Sequence, residues 1–224
     1  MKQIRTFLVA STSVLILISG CSSLNKTQKG AIIGTGAGAA VGAGVGKLAG
    51  NTALGAIIGA AVGGVTGGLI GKKMDKQAKE IENIPGAEVT RVGEGINVTF
   101  NSGVLFAVNQ STFNEASKAN MRELVTVLTK YPDTYVRIEG HTDASGTDAI
   151  NNELSEKRAV AVAQFLKDLG VADSRLKTAW YGETQPKFPN DTPDNMAKNR
   201  RVEFAIYANE KMKADAQKEA GSSK

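Results

Sequence analysis

Cysteine, histidine and tryptophan each occur once among the 224 residues. A single cysteine leaves no internal disulfide to expect, and a single histidine without further thiols excludes a zinc site, which normally takes three or four nitrogen or sulfur ligands. Aromatic residues make up only 5% of the chain. Charge of one sign is not concentrated anywhere. The net charge of +5 is modest and the Lys and Arg residues are scattered among acids, so no basic block tracks a phosphate backbone and nucleic acid is excluded as a partner. The N-terminal apolar run, from about Phe7 to Ile18, is too short for a spanning helix with proper flanks.

That run has another reading. Lys2 and Arg5 precede it and small residues follow it, directly before the one cysteine, which is the layout of a secretory signal over residues 1–20. Ile18-Ser19-Gly20-Cys21 resembles a bacterial lipoprotein signal, with Ile where Leu is commoner. The resemblance implies that Cys21 is lipidated and becomes the mature N-terminus, followed by a linker over 21–29. Each buried acyl methylene adds about 0.8 kcal/mol, so several chains anchor durably. Ser22 in place of Asp implies sorting to the outer membrane, facing the periplasm.

What the chain has in abundance is glycine, 25 residues of it, unevenly spread. Gly30, Gly34, Gly38, Gly42, Gly46 and Gly50 stand four apart, as do Gly55, Gly59, Gly63, Gly67 and Gly71. GAIIG opens each half, at 30–34 and 55–59, the mark of a duplicated unit. Spacing of four puts the glycines on one helical face where a second backbone can approach. Each glycine costs about 1 kcal/mol relative to alanine in a helix, so these segments need a partner. The favoured expectation is a glycine-zipper hairpin over 30–71, at or in lipid and able to self-associate. A flexible spacer is disfavoured by the strict period with interleaved Ile, Val and Leu. A phosphate-binding loop is disfavoured because no Gly-Lys-Ser/Thr closes it.

Residues 72–86 read as a charged helical stem, punctuated by Pro85-Gly86, and a compact domain is expected over 87–208. Alternation marks strands at Ile96–Phe100, Val136–Glu139, Leu176–Tyr181 and Val202–Ile206. Helical spacing follows Asn114, an N-cap candidate, and returns over about 149–169 with Gly170 as its stop. The order β-α-β-α-β-β predicts an α+β sandwich, helices packed on one face of a mixed sheet. Residues 209–224 are polar and read as a flexible tail.

The one histidine lies in IEGHTDASGT, residues 138–147. Neither a second acid to orient His141 nor an oxyanion pattern accompanies it, so the chain is not expected to be an enzyme, and His141 reads as a hydrogen-bonded structural residue. Asp143 is more than a turn residue. On the helix that follows, Leu154, Ala161, Val162, Phe165, Leu166 and Leu169 share a face with Arg158 near its centre, and a permanent cation does not sit on an apolar stripe without a partner or a cleft. Asp143 is the nearest acid in topology. Either the two form a plain salt bridge, or they flank a small cleft complementary to a zwitterion, the acid taking an ammonium and the guanidinium gripping a carboxylate.

GHTDASG, Asn151-x-x-Leu154-Ser155-x-x-Arg158-Ala159, Tyr181-Gly182-Glu183 with Pro186, and Asn199-Arg200-Arg201-Val202-Glu203 together resemble the OmpA-like C-terminal domain family of peptidoglycan-binding modules. The resemblance implies non-covalent binding of the peptidoglycan stem peptide at diaminopimelate, without a cofactor or metal. It puts the ammonium on Asp143 and the carboxylate on Arg158, with hydrogen bonds from Asn151 and the backbone around Thr142. Arg200 is a further candidate because it shares strand parity with inward Val202, whereas Arg201 points away. Where the family often has an acid after the first-loop phenylalanine, Phe106 is followed here by Ala107, and Asn109 is a candidate replacement. The expected protein tethers outer membrane to cell wall. The alternative is a membrane oligomer or pore built on the glycine hairpin, with the wall-binding domain as its anchor.

Overall fold

The computed structural model describes residues 52–107 and 109–222. The signal segment, Cys21, the linker and the first half of the glycine repeat lie outside the described residues.

The body is a five-stranded sheet in the order β1 (Ala87–Val92), β2 (Gly95–Asn101), β5 (Arg201–Ala208), β3 (Thr134–His141), β4 (Leu176–Trp180). Neighbouring strands are antiparallel except β3 and β4. That parallel pair requires a crossover, supplied by α5 (Asp148–Asp168). Register aligns Val98 and Ile138 with Phe204 from either side. One face of the three central strands is therefore a continuous apolar layer of Ile96, Val98, Phe100, Val136, Ile138, Val202, Phe204 and Ile206, all at 0% exposure. Against it pack α4 (Glu115–Lys130) through Met121, Leu124 and Leu128, and α5 through Ala159, Val162 and Leu166. As the sequence suggested, Asn114 caps α4, its side chain accepting from Ser117 N. The α+β class with a mixed sheet and helices on its apolar face is the observed one.

Several elements extend it. An edge strand, β1, pairs with β2 through a tight turn; its half-exposed alternation is too weakly apolar to stand out in sequence. The segment expected as a tail is a helix, α7 (Glu210–Ser222), whose Met212 and Ala216 are buried in the main core. The stem is no separate spacer. It is the second half of α2 (Gly64–Ile81), which buries Ile70, Met74, Ala78 and Ile81 in that same core. The boundary expected at residue 87 is thus crossed by core packing.

The second glycine arm is also used differently from a helix hairpin. It breaks between α1 (Thr52–Gly59) and α2, with Gly63 and Gly64 at φ 76° and 64°, a left-handed backbone open mainly to glycine. Glu94, in the β1–β2 turn, accepts the N–H groups of Val62 at 2.8 Å and Gly63 at 2.6 Å, placing a carboxylate at the positive end of α2. A Cβ on Gly67 would collide with that carboxylate. Gly71 O accepts from Arg91 Nη2 at 3.3 Å, and Arg91 Nε donates to Asp75 at 2.8 Å. Gly63, Gly67 and Gly71 thus fit α2 onto the turn and edge of its own sheet. Helix α1 crosses the sheet's other face, burying Ala53 and Ile57 against Ala205.

That second face is polar and still buried. Glu139 and Glu203 stand directly across from one another in register, each at 0% exposure, with Arg201 at 1%, His141 at 1% and Asn97 at 6%. Arg201 Nε donates to Glu203 at 2.6 Å, Arg137 Nε donates to Glu139, and Thr52 Oγ1 donates to Glu139 at 2.8 Å.

Candidate functional site

Strand β3 ends at His141, and the chain turns there because three family-like blocks lock together. Thr142 N donates to Gly182 O at 2.9 Å, Tyr181 N to Gly140 O at 3.1 Å, and Gly182 N to Ser155 Oγ at 3.0 Å. Helix α5 lies so near β3 that a Cβ on Gly140 would strike the Ser155 carbonyl. The loop after β3 and the first turns of α5 therefore share one rigid frame.

Asp143 and Arg158 are both held in it, 4% and 2% exposed. They do not form a direct ion pair. Arg200 Nη1 donates to Asp143 Oδ2, and Ser145 N donates to Oδ1 at 3.0 Å. Burial opposes ionisation of Asp143, but the Ser145 hydrogen bonds and the Arg200 guanidinium outweigh it and hold the carboxyl below its ordinary value. Arg158 donates from Nε to Gln110 O at 3.0 Å and from Nη1 to Ser102 Oγ at 3.3 Å, with its guanidinium 5.4 Å from the Phe106 ring centroid. Burial and the nearby Arg200 charge bring its pKa down to about 10, against the pull of Asp143. It remains a cation at neutral pH, and among the described residues no carboxylate pairs with it. The cleft expected between these two groups is closed from both sides, by Arg200 on Asp143 and by the loop carbonyl of Gln110 on Arg158. Cavities of about 210 and 230 Å³ lie elsewhere.

The other candidates divide. Arg200, the C-cap of α6 (Pro193–Asn199), joins Asp143 with its side chain 42% exposed. Arg201 points to the opposite face, as its parity required. Asn151 is buried beside this frame but donates Nδ2 to Glu183, and the Thr142 N–H is already used by Gly182. Asn109 is exposed at φ 57°, one residue before the Gln110 carbonyl that Arg158 engages. His141 is structural but not hydrogen-bonded: neither ring nitrogen has a partner among the described residues, and Nε2 stands 3.9 Å from Glu139. It stacks on Tyr181 at 5.5 Å, and burial, then the Arg201 charge, drives its pKa down to about 3. Sequence reasoning missed Ser102 and Gln110, since a hydroxyl and a backbone carbonyl carry no periodic signal. The expected place of Leu169 on the apolar face is corrected: it is 41% exposed, and Asn151 and Ser155 are buried with Arg158 instead.

Residues 105–200 match the OmpA family, and residues 1–75 match the YMGG-like Gly-zipper. The outer-membrane lipoprotein YfiB of Pseudomonas aeruginosa is 31% identical over 115 residues, 51% of this chain and 68% of that protein. The chain belongs to the OmpA family. Members of similar sequence include the peptidoglycan-binding protein ArfA of Mycobacterium tuberculosis, 34% identical over 50% of this chain and 34% of its own length. Another is outer membrane porin F of Pseudomonas aeruginosa, 41% identical over 109 residues, 48% of this chain and 31% of the porin. The chain thus spans less than two thirds of several of these relatives. In fold, the OmpA-family domain superposes on a putative MotB-like protein from Desulfovibrio vulgaris with a TM-score of 0.57 at 24% identity, over 62% of this chain and 93% of that one.

Proposed function

We propose that this OmpA-family chain is an outer-membrane lipoprotein, lipidated at Cys21, whose domain binds peptidoglycan non-covalently at the diaminopimelate of the stem peptide and so tethers membrane to wall. Family membership and the name of the ArfA relative support the wall as ligand. The observation that carries the site is Arg158: a buried cation held by two neutral acceptors and one ring, with its nearest acid taken by Arg200, whose side chain is 42% exposed. Burying a charge without a counter-ion is costly, and a ligand carboxylate would supply one.

Binding is then an exchange. The ligand ammonium replaces the Arg200 guanidinium on Asp143, while the carboxylate settles on Arg158 through parallel N–H donors. Arg200, with its long and partly exposed side chain, swings out and faces the same carboxylate. Asn151, the Thr142 backbone and Asn109 border the ligand and contribute polar contacts after small rearrangements. Charge-assisted bonds contribute about 1.5–3 kcal/mol each, reduced here because one internal pair breaks first. Affinity per site is modest, and many anchored copies on one polymer bind by avidity.

The test is a pull-down on purified sacculi. Arg158→Ala and Asp143→Asn should each lose retention while keeping the wild-type melting curve shape; retention by both variants would discard the site. Acylation of Cys21 is read by mass spectrometry of the mature N-terminus. The alternative, an oligomer built on the glycine repeat, draws support from the Gly-zipper match, but in the second repeat Gly63, Gly67 and Gly71 serve contacts inside the domain.

A further inference from the structure

The cavity of about 210 Å³ on the sheet's polar face is lined by Glu88, Thr99, Asn101, Lys187, Phe188 and Lys198. Its volume is more than ten times the roughly 10–15 Å³ that one water needs. Two lysines and one glutamate are among its lining residues. Lys187 Nζ stands 3.9 Å from Glu88 Oε2, and Lys198 Nζ lies 5.1 Å over the Phe188 ring. Among the described residues Lys198 has no acid partner.

The wall is preorganised. Asn199, at 0% exposure, accepts the N–H groups of both Lys187 and Phe188 at 2.9 Å and returns its own Nδ2 to Phe188 O at 2.8 Å. The same amide donates to Asn190 Oδ1 at 2.9 Å, and Asn190 Oδ1 accepts Ala144 N at 3.3 Å. One buried side chain thus holds the lysine loop and ties it to the residue following Asp143. On the other wall, Asn101 lines the cavity while the next residue, Ser102, receives Arg158. Successive side chains along a strand point to opposite faces, so the cavity lies across the sheet's end from Arg158 and is tied to the Asp143 side of the site, where Lys198 stands two positions from Arg200.

We infer that this cavity is a second subsite, taking a further carboxylate of the same wall peptide, with the peptide's apolar flank against Phe188. This rests on the reading of Asp143 and Arg158 given above. An extended peptide advances about 3.3–3.6 Å per residue, and one that passes round the sheet's end from the residue held at Asp143 brings a further carboxylate to the lysines. The carboxylate is either the free α-carboxylate of the isoglutamyl residue or the C-terminal one.

Isothermal titration of the full chain with a soluble stem tetrapeptide, with the same peptide amidated at the isoglutamyl α-carboxylate, and with the peptide amidated at its C-terminus separates these sources. Wild type is expected to weaken by about threefold to tenfold for one amidated peptide. The Lys187→Ala/Lys198→Ala double variant, altered only on the surface, should bind the unmodified peptide that much more weakly and no longer distinguish the amidated one. Retained discrimination in the double variant, while Arg158→Ala still abolishes binding, overturns the lysine subsite and leaves the Arg158 reading intact. Absence of peptide binding by wild type overturns both.

Discussion

Arg158 and Arg201 lie on opposite sides of the sheet, 2% and 1% exposed, and both are cations by chemistry. Arg201 has a counter-ion two residues away: its Nε meets Glu203 at 2.6 Å, and Nη1 and Nη2 donate to Asn199 O and Gln185 O, each at 3.1 Å. Arg158 has a hydroxyl, a carbonyl and an aromatic ring. Lack of an acid is not by itself a vacancy for a ligand, as a third arginine demonstrates. Arg175, 8% exposed, also has no ion pair among the described residues, but it donates to Thr134 O, Leu128 O, Tyr131 O and Thr134 Oγ1 and so closes the end of α4. Arg175 is saturated by its own fold. Arg158 is held more sparsely, beside an aspartate whose present partner is 42% exposed. The arginine proposed as receptor differs from the two structural ones in how completely the fold answers its donors.

Substitution should separate the two roles. Arg201→Ala removes the buried counter-ion of Glu203, which keeps the Asn97 amide at 3.2 Å, and is expected to cost about 3–5 kcal/mol in urea unfolding with little effect on sacculus binding by the folded fraction. Arg158→Ala leaves no buried acid unpaired. It should change stability by about 1 kcal/mol or less, yet weaken stem-peptide binding by about 100-fold, the loss of two charge-assisted bonds. If the variants swap these effects, the distinction falls. Gly140→Ala, which forces α5 off β3 at the Ser155 carbonyl, should lose about 1–3 kcal/mol and weaken binding with it, since the same frame holds both charges.

The smaller effects depend on pH. His141 is held neutral with its pKa near 3, against an ordinary 6.5, by burial and Arg201, with Glu203 pulling the other way. The unfolded chain takes up that proton first, so stability declines as pH falls from 6.5 towards 3. His141→Phe should flatten that part of the curve; an unchanged slope assigns it elsewhere. Asp143 behaves oppositely from His141 in origin but not in direction. Its lowered pKa keeps it ionised, so its contribution is full above its ordinary 3.8 and fades only as pH falls through its lower folded value. Sacculus binding should therefore be flat from pH 5 to 8 with respect to Asp143.

The sheet's apolar layer was legible because Ile96-Val98-Phe100 and Val202-Phe204-Ile206 alternate cleanly, and Arg158 stood out because charge interrupted a stripe. The second face was not. Alternation of Arg201, Glu203 and Glu139 with apolar residues is what a solvated face would show, and only the chain crossing above it buries them. Helix α7 was missed for a related reason: Met212 and Ala216 are too few to mark an apolar side among lysines and acids. The four-residue glycine spacing suggests approach of a second backbone, but at Gly67 it is a side chain that approaches. The partner, the Glu94 carboxylate, lies in a turn that periodicity does not reach. The acceptance of Asp143 by Arg200 was half visible, since strand parity put Arg200 on the right side but could not tell a ligand contact from an internal one.

Thr52 hands the chain to the sheet through its hydroxyl on Glu139, and Glu139 sits on the strand whose end carries Asp143. Gln185 Oε1 accepts from the same hydroxyl at 3.3 Å. Under the tethering role proposed above, load at Thr52 meets first its hydrogen bonds to Glu139 and Gln185, then the packing of Ala53 and Ile57 on Ala205, and only then α2 in the apolar core.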